Sequence, residues 1–166
     1  MKKFDIKTFD SLPNKRSKQQ YIKSVDLRYA NMVEIDLSWC TLMNLDFRSA
    51  NLEKARLVGC ILIDSSFRNA NLNSAYLESS DVRGVDFNNA VLIDVDIRHC
   101  SGNEEEIKFI DDIDMFDIVY TQDQIAIGCH QASKEQWKAY SLDDINDLEE
   151  GFLGWWSLNK EMVLAL

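Results

Sequence analysis

A five-residue period runs without a slip from Val25 to His99. Cut every five residues, the chain reads VDLRY, ANMVE, IDLSW, CTLMN, LDFRS, ANLEK, ARLVG, CILID, SSFRN, ANLNS, AYLES, SDVRG, VDFNN, AVLID and VDIRH. The third residue of all fifteen units is apolar, from Leu27 through Leu52, Phe67 and Leu72 to Ile97. The first is Ala in six units and otherwise Val, Cys, Ser, Ile or Leu, and the second is most often Asp or Asn. A helix repeats apolar residues at spacings of three and four, and a strand at two. Neither gives a strict period of five, so this stretch is an internal-repeat architecture.

The pattern resembles the pentapeptide-repeat family, whose unit is A(D/N)LXX. The resemblance covers residues 25–99 and implies a β-solenoid: a right-handed quadrilateral β-helix in which each five residues form one side and four sides make a coil of twenty. It implies that the first and third residues of each unit point inward and the other three outward. A square coil predicts a second period of twenty, and the sequence has it. Phe47, Phe67 and Phe87 form one column, begun by Leu27; Ala30, Ala50, Ala70 and Ala90 form another; Cys40, Cys60, Ser80 and Cys100 form a third. Like stacks on like, so each ring fits the ring beneath it. The cysteine column reads as small buried apolar residues rather than a disulfide or metal ladder, because Ser80 interrupts it.

The outward positions carry the remaining information. Asp26 with Arg28, Asp46 with Arg48, Ser66 with Arg68 and Asp86 with Asn88 read as a self-compensated, solvated face. Asn31, Asn51 and Asn71 read as an amide ladder between coils. Met43, Ile61 and Ile63 on the fourth face, and Val91 and Ile93 on the last coil, would leave an apolar patch, so another part of the chain is expected to cover them.

Three segments follow: a cap over residues 1–24, the β-helix over 25–101, in about four coils, and a small acidic C-terminal α+β region over 102–166. The repeat stops at "CSGNEEE", with Gly102 at what would be a core position. "IKFID", "MFDIVYT" and "QIAIGCH" alternate like three strands. "SKEQ" (Ser133 to Gln136) forms a capping box before a short helix with Trp137 and Tyr140. A second helix starts at Ser141, with acids in its first turn, and Gly151 ends it. "FLGWWSLNKEMVLAL" reads as a third helix. Tails of this kind look similar to those of short bacterial and phage proteins.

Of the 166 residues, 46% are apolar, enough for a sizeable core. No apolar run reaches the length of a membrane span, and "MKKFDIKTFDSL" has no apolar h-region. The four cysteines lack metal-site spacing, so a reduced, cytoplasmic protein is expected. Net charge is −10, distributed as +4 over residues 1–19 (six bases, two acids), −3 over 20–101 (eight bases, eleven acids) and −11 over 102–166 (four bases, fifteen acids). Direct nucleic-acid binding is not expected, because phosphate contacts need Lys and Arg; a protein partner with a basic surface is.

Nothing in the chain points to catalysis. The only histidines are His99 and His130. There is no nucleotide-binding glycine pattern and no zinc motif, so no cofactor or metal is expected. Cys129 and His130 are adjacent, which on a strand sends them to opposite faces and separates a nucleophile from a base. The resemblance includes acidic rods that mimic duplex DNA on topoisomerases such as gyrase. This chain departs from them: its repeat region is only mildly acidic, and under four coils at about 4.8 Å each give a rod under about 20 Å. The expectation is a non-enzymatic, protein-binding inhibitor or regulator acting on a nucleic-acid-handling protein, a topoisomerase or a bacterial defence complex. Its target-binding residues are taken as Glu104, Glu105, Glu106, Asp111, Asp112, Asp114 and Asp117. A homodimer is expected through Phe152, Trp155, Trp156 and Val163. The alternative is a structural adaptor with the solenoid as spacer and the C-terminal region as recognition module.

Overall fold

Each five-residue unit is a short extended segment and a β-turn, and the turn chemistry explains the composition of the repeat. In a computed structural model, which describes residues 1–102, 107–113, 116–121, 124–148 and 151–166 (backbone only at 109, 111–113 and 117), every fifth residue from Tyr29 to His99 has a positive φ, between 51 and 67°. The first residue of the next unit commonly closes the turn, as when Ala55 N–H donates to Leu52 C=O at 2.9 Å. The Asp or Asn at the second position accepts the N–H of the fourth: Asp26 from Arg28 at 3.2 Å, Asp36 from Ser38 at 3.0 Å, Asn71 from Asn73 at 3.0 Å. A short side chain that bonds its own backbone two residues on is what Asx turns require.

Coils pair through the backbone. Parallel bridges link second-position residues twenty apart, including Asn31 with Asn51, Asn51 with Asn71, and Asn71 with Val91. Each such peptide serves two neighbours in the coil before it. Asn71 N–H donates to Ala50 C=O at 2.9 Å, and Asn71 C=O accepts Leu52 N–H at 2.7 Å. The result is a solenoid with four five-residue sides per twenty-residue coil. Leu52 and Leu72 are fully buried on its inner wall. The rings of Phe47 and Phe67 stack at 4.7 Å and those of Phe67 and Phe87 at 5.7 Å.

Both ends are closed by chain outside the repeat. At the start, β1 (Lys2–Lys3) pairs in parallel with β2 (Val25–Asp26), and Phe4 N–H continues the ladder to Asp26 C=O at 3.1 Å. Helices α1 (Ile6–Asp10) and α2 (Lys15–Ser24) bring Phe9 and Ile22 into the same core as Met32 and Leu42.

At the other end a four-stranded antiparallel sheet, β3 (Lys108–Ile113), β4 (Phe116–Tyr120), β5 (Gln124–Ile127) and β6 (His130–Ser133), lies between the solenoid and three helices, α3 (Lys134–Ala139), α4 (Leu142–Asn146) and α5 (Phe152–Ala165). Its alternation sorts two cores. Cross-strand partners Val119 and Ala126 join the solenoid core with Ile107. Partners Ile118 and Ile127 face the second core with Trp137, Ile145 and Phe152. Successive strand residues point to opposite faces, so one sheet serves both.

Gln131, opposite Ala126, projects to the solenoid side and completes its ladder. Its Nε2 donates to Ala90 C=O and its Oε1 accepts Leu92 N–H, both at 2.7 Å. Those are the two bonds that the Val91 backbone makes one coil earlier with Ala70 and Leu72. One side-chain amide therefore stands in for the next coil's peptide. Nε2 also donates to the Gln124 side chain.

Three local expectations are corrected. "QIAIGCH" is not one strand: Gly128 and Cys129 form a turn, and His130 opens β6. Gly128 has φ +52°, and a Cβ there would meet the Phe116 ring at 2.8 Å, so this hairpin turn requires glycine. Gly151 does not end the second helix; α4 closes at Asp147, and Gly151, with φ 85°, is the N-cap of α5. Met43 and Ile61 are not covered, being 38% and 39% exposed, while Ile63 is half-buried; the described residues place only the start of this face under α2, where Gln19 Nε2 donates to Thr41 C=O at 3.0 Å. The capping boxes at Ser133–Gln136 and Ser141–Asp144 are both formed.

Candidate functional site

The outer surface of the solenoid is organised by Asp-X-Arg clamps. In the pairs Asp26–Arg28, Asp46–Arg48, Asp81–Arg83 and Asp96–Arg98, one carboxylate oxygen accepts the backbone N–H and Nε of the arginine and the other accepts Nη2. The Nη2 contacts are 2.6–2.8 Å. A bidentate guanidinium favours the charged carboxylate. The Arg28 side-chain bonds, with its backbone N–H, hold Asp26 at about 2. The clamps neutralise four arginines of the repeat in place. Asn71 Nδ2 donates to Asn51 Oδ1 at 3.0 Å, giving one rung of an amide ladder.

The cysteine column is structural. Cys60 Sγ and Cys100 Sγ each donate to a carbonyl, of Leu37 and Leu77, at 3.0 Å. Ser80 does the same to Leu57 C=O at 2.6 Å, which is how a hydroxyl fits among thiols. Burial pushes the Cys60 thiol up to about 12 and Cys100 to about 11, the opposite of an activated nucleophile.

Of the acidic residues read as target-binding, Glu104, Glu105, Glu106 and Asp114 lie outside the described residues. Asp111 and Asp112 fall on β3 and Asp117 on β4, where only their backbone is described. Elsewhere in the C-terminal region Glu135, Asp143, Asp144, Asp147 and Glu161 are exposed. The residues expected at a dimer interface, Phe152, Trp155, Trp156 and Val163, are buried within one chain. Phe152 lies against Phe116, Trp137 and both tryptophans, at centroid distances of 5.2–6.4 Å. The second core uses their surface.

Cys129 and His130 are also placed differently from a strand pair. The turn at Gly128–Cys129 brings Cys129 Sγ to 3.4 Å from His130 Nε2. The His130 ring packs on Phe152 at 5.5 Å. The sequence missed this because a hairpin turn, unlike a strand, allows neighbours to converge. Among the described residues no group of three or more His, Cys, Asp or Glu is arranged to hold a metal, and no helix is long and apolar enough to cross a membrane.

One concave feature, absent from the sequence reading, lies beside the first coils. A cleft of about 480 Å³ is walled by the α1–α2 loop, the first turn of α2 and the side of the coil carrying Trp39 and Arg56.

Residues 23–57, 50–89 and 70–101 match the family described as pentapeptide repeats, in eight copies. No curated protein matches the sequence. A pentapeptide repeat protein from the thylakoid lumen of Arabidopsis thaliana is 32% identical over 45% of this chain and 51% of its own, with a TM-score of 0.44. One from the cyanobacterium Cyanothece is 25% identical over 48% of this chain and 54% of its own, with a TM-score of 0.47. HetL, involved in heterocyst differentiation regulation in a Nostoc cyanobacterium, is 26% identical over 46% of this chain and 40% of its own, with a TM-score of 0.33. The chain thus spans about half or less of the length of these proteins. With its fifteen unbroken units, its twenty-residue ladder and the family match, the stretch from residue 23 to residue 101 belongs to the pentapeptide-repeat family and is a β-solenoid.

Proposed function

We propose that this protein is a non-enzymatic regulator that binds a basic surface on a nucleic-acid-handling protein, with its acidic C-terminal region as the contact and a right-handed four-sided solenoid as the rigid support. The observation that carries the reading is where charge is left over. Four of the six arginines of the repeat are clamped by their own aspartates, and residues 20–101 sum to only −3, so the repeat offers little net field. Residues 102–166 keep a surplus of −11. A rigid acidic surface competes for a basic groove with little ordering cost and gains mainly in association rate. The thiol state of all four cysteines suits a reducing compartment such as the cytoplasm.

The adaptor reading has its own support: Leu142 and Leu158 are 63% and 83% exposed on α4 and α5, the same end of the chain. A homodimer, if formed, would use such exposed positions rather than the buried aromatic cluster. The test is affinity capture from a bacterial lysate, followed by kinetics on the purified target. Duplex DNA should displace the target, association should slow with salt, and Asp111→Lys/Asp112→Lys/Asp114→Lys should slow it further. A target that duplex DNA does not displace, bound at the same rate by the triple variant, would overturn the mimicry and favour the adaptor.

A further inference from the structure

The cleft beside the first coils runs against the charge of the whole chain. Lys15, Lys18 and Arg56 line it, with Asp36 as the only acid among the described residues of its walls, in a protein of net charge −10. Asp36 is itself engaged, accepting Ser38 N–H at 3.0 Å. Burial alone would raise the Asp36 carboxyl, but its bonds from Ser38 and the nearby Arg56 and Lys18 cations bring it below the ordinary carboxylate range. The first turn of α2 has no acid and holds Lys15 and Lys18, so its basic side chains add to the positive end of the helix dipole.

Trp39 forms a flat wall of the same cleft, 66% exposed. It is held there by the coil above. A Cβ at Gly59 would lie 2.3 Å from Trp39 Cε3 and Cζ3, so the indole rests directly over the Gly59 Cα. Gly59 stands twenty residues after Trp39, at the same point of the next coil, and no residue with a side chain would leave room for the ring. An indole seated by one side on the backbone and open on the other is a stacking platform. Arg56 beside it is fixed by its own contact over the Tyr76 ring, 5.7 Å from the centroid.

We propose that this cleft binds a nucleotide, its base stacked on Trp39 and its phosphates against Lys15, Lys18 and Arg56. The volume of about 480 Å³ falls in the range of small-molecule sites. The class follows from the pairing of one open aromatic face with three cations: a ring without phosphates leaves the cations unused, and phosphates without a ring leave the indole unused. The site is at the opposite end of the solenoid from the acidic C-terminal region and does not depend on the function proposed for it.

The test is isothermal calorimetry of the full chain with ADP, adenosine and pyrophosphate as separate probes. ADP is expected to bind with a Kd below about a millimolar, and adenosine and pyrophosphate each at least about tenfold more weakly. Trp39→Ala should weaken ADP by about tenfold or more, and Trp39→Tyr should restore most of it, since any aromatic face stacks. Lys15→Glu/Lys18→Glu should weaken ADP comparably and flatten its salt dependence. These side chains are on the surface, so thermal unfolding of each variant checks that the fold is unchanged. The proposal is overturned if ADP gives no binding, if pyrophosphate binds as tightly as ADP, or if a folded Trp39→Ala variant binds ADP as the parent does.

Discussion

The repeat and the C-terminal sheet solve the same problem, a complete set of backbone hydrogen bonds around an apolar core, by different means. In the solenoid a backbone group finds its partner either about twenty residues away in the next coil or within two or three residues at its own turn, and the five positions repeat the same tasks. In the C-terminal region one sheet faces two cores, and a residue's task depends on which face it falls on: Val119 belongs to the solenoid core and its neighbour Ile118 to the helices. The junction uses both devices. The first coil is closed by backbone, through β1, and the last by a side chain, Gln131, that copies a peptide. A periodic structure can thus end without another strand, provided that a carboxamide offers one donor and one acceptor where a residue of the next coil would place its N–H and C=O.

The largest expected effect tests the periodic half. Phe67→Ala opens a cavity between two stacked rings and should destabilise the chain by about 3–5 kcal/mol, measured by denaturant unfolding. A loss below about 1 kcal/mol would mean that the column relaxes freely, unlike a stacked coil.

The junction is next. Gln131→Leu keeps the volume but leaves Ala90 C=O and Leu92 N–H without their partner, and should cost about 2 kcal/mol. The Leu92 amide should also lose protection against hydrogen exchange. Unchanged protection at Leu92 would show that water serves as well, and the carboxamide would not be the terminator.

A smaller effect of opposite sign tests the turns. Lys54 holds φ 55°, in the left-handed region that costs an L-residue about 1 kcal/mol or more. Lys54→Gly should stabilise by up to about 1 kcal/mol after glycine's extra unfolded-state entropy is subtracted. Clear destabilisation would show that the Lys54 side chain contributes more than its backbone costs.

The smallest effect concerns the clamps. The Asp26 carboxyl titrates at about 2 in the folded chain against an ordinary 3.8. Its folded value is depressed, so its contribution is complete above the ordinary value and is lost as pH falls toward 2. The Asp26 carboxylate, followed by NMR, should titrate near 2 and move up in Arg28→Ala. A midpoint that ignores Arg28 would remove the clamp from the account of the surface.

By itself the sequence determined the solenoid. The five-residue unit resembles that of the pentapeptide-repeat family, which implies a four-sided coil, and the columns of like residues at twenty agree with that coil because each ring must fit the ring beneath it. The Asp or Asn at the second position was legible as a pattern, but its reason, the bond to the N–H two residues on, appears only with the turn in place. The capping boxes at Ser133 and Ser141 were legible because a cap is local. What tertiary structure alone decided is everything that depends on distant segments meeting. The aromatic cluster of α5, expected at a dimer contact, is seen in one chain's core only once Phe116 and Trp137 lie against it. Gln131 is an ordinary polar strand residue until the last coil lies opposite. Trp39 becomes a platform only because a glycine twenty residues later lies beneath its ring, and the cations beside it come from a helix that folds back over the first coils. Local bonding can be read from neighbours in the chain, whereas a shared core, a ladder's end and a cleft are properties of surfaces that only packing brings together.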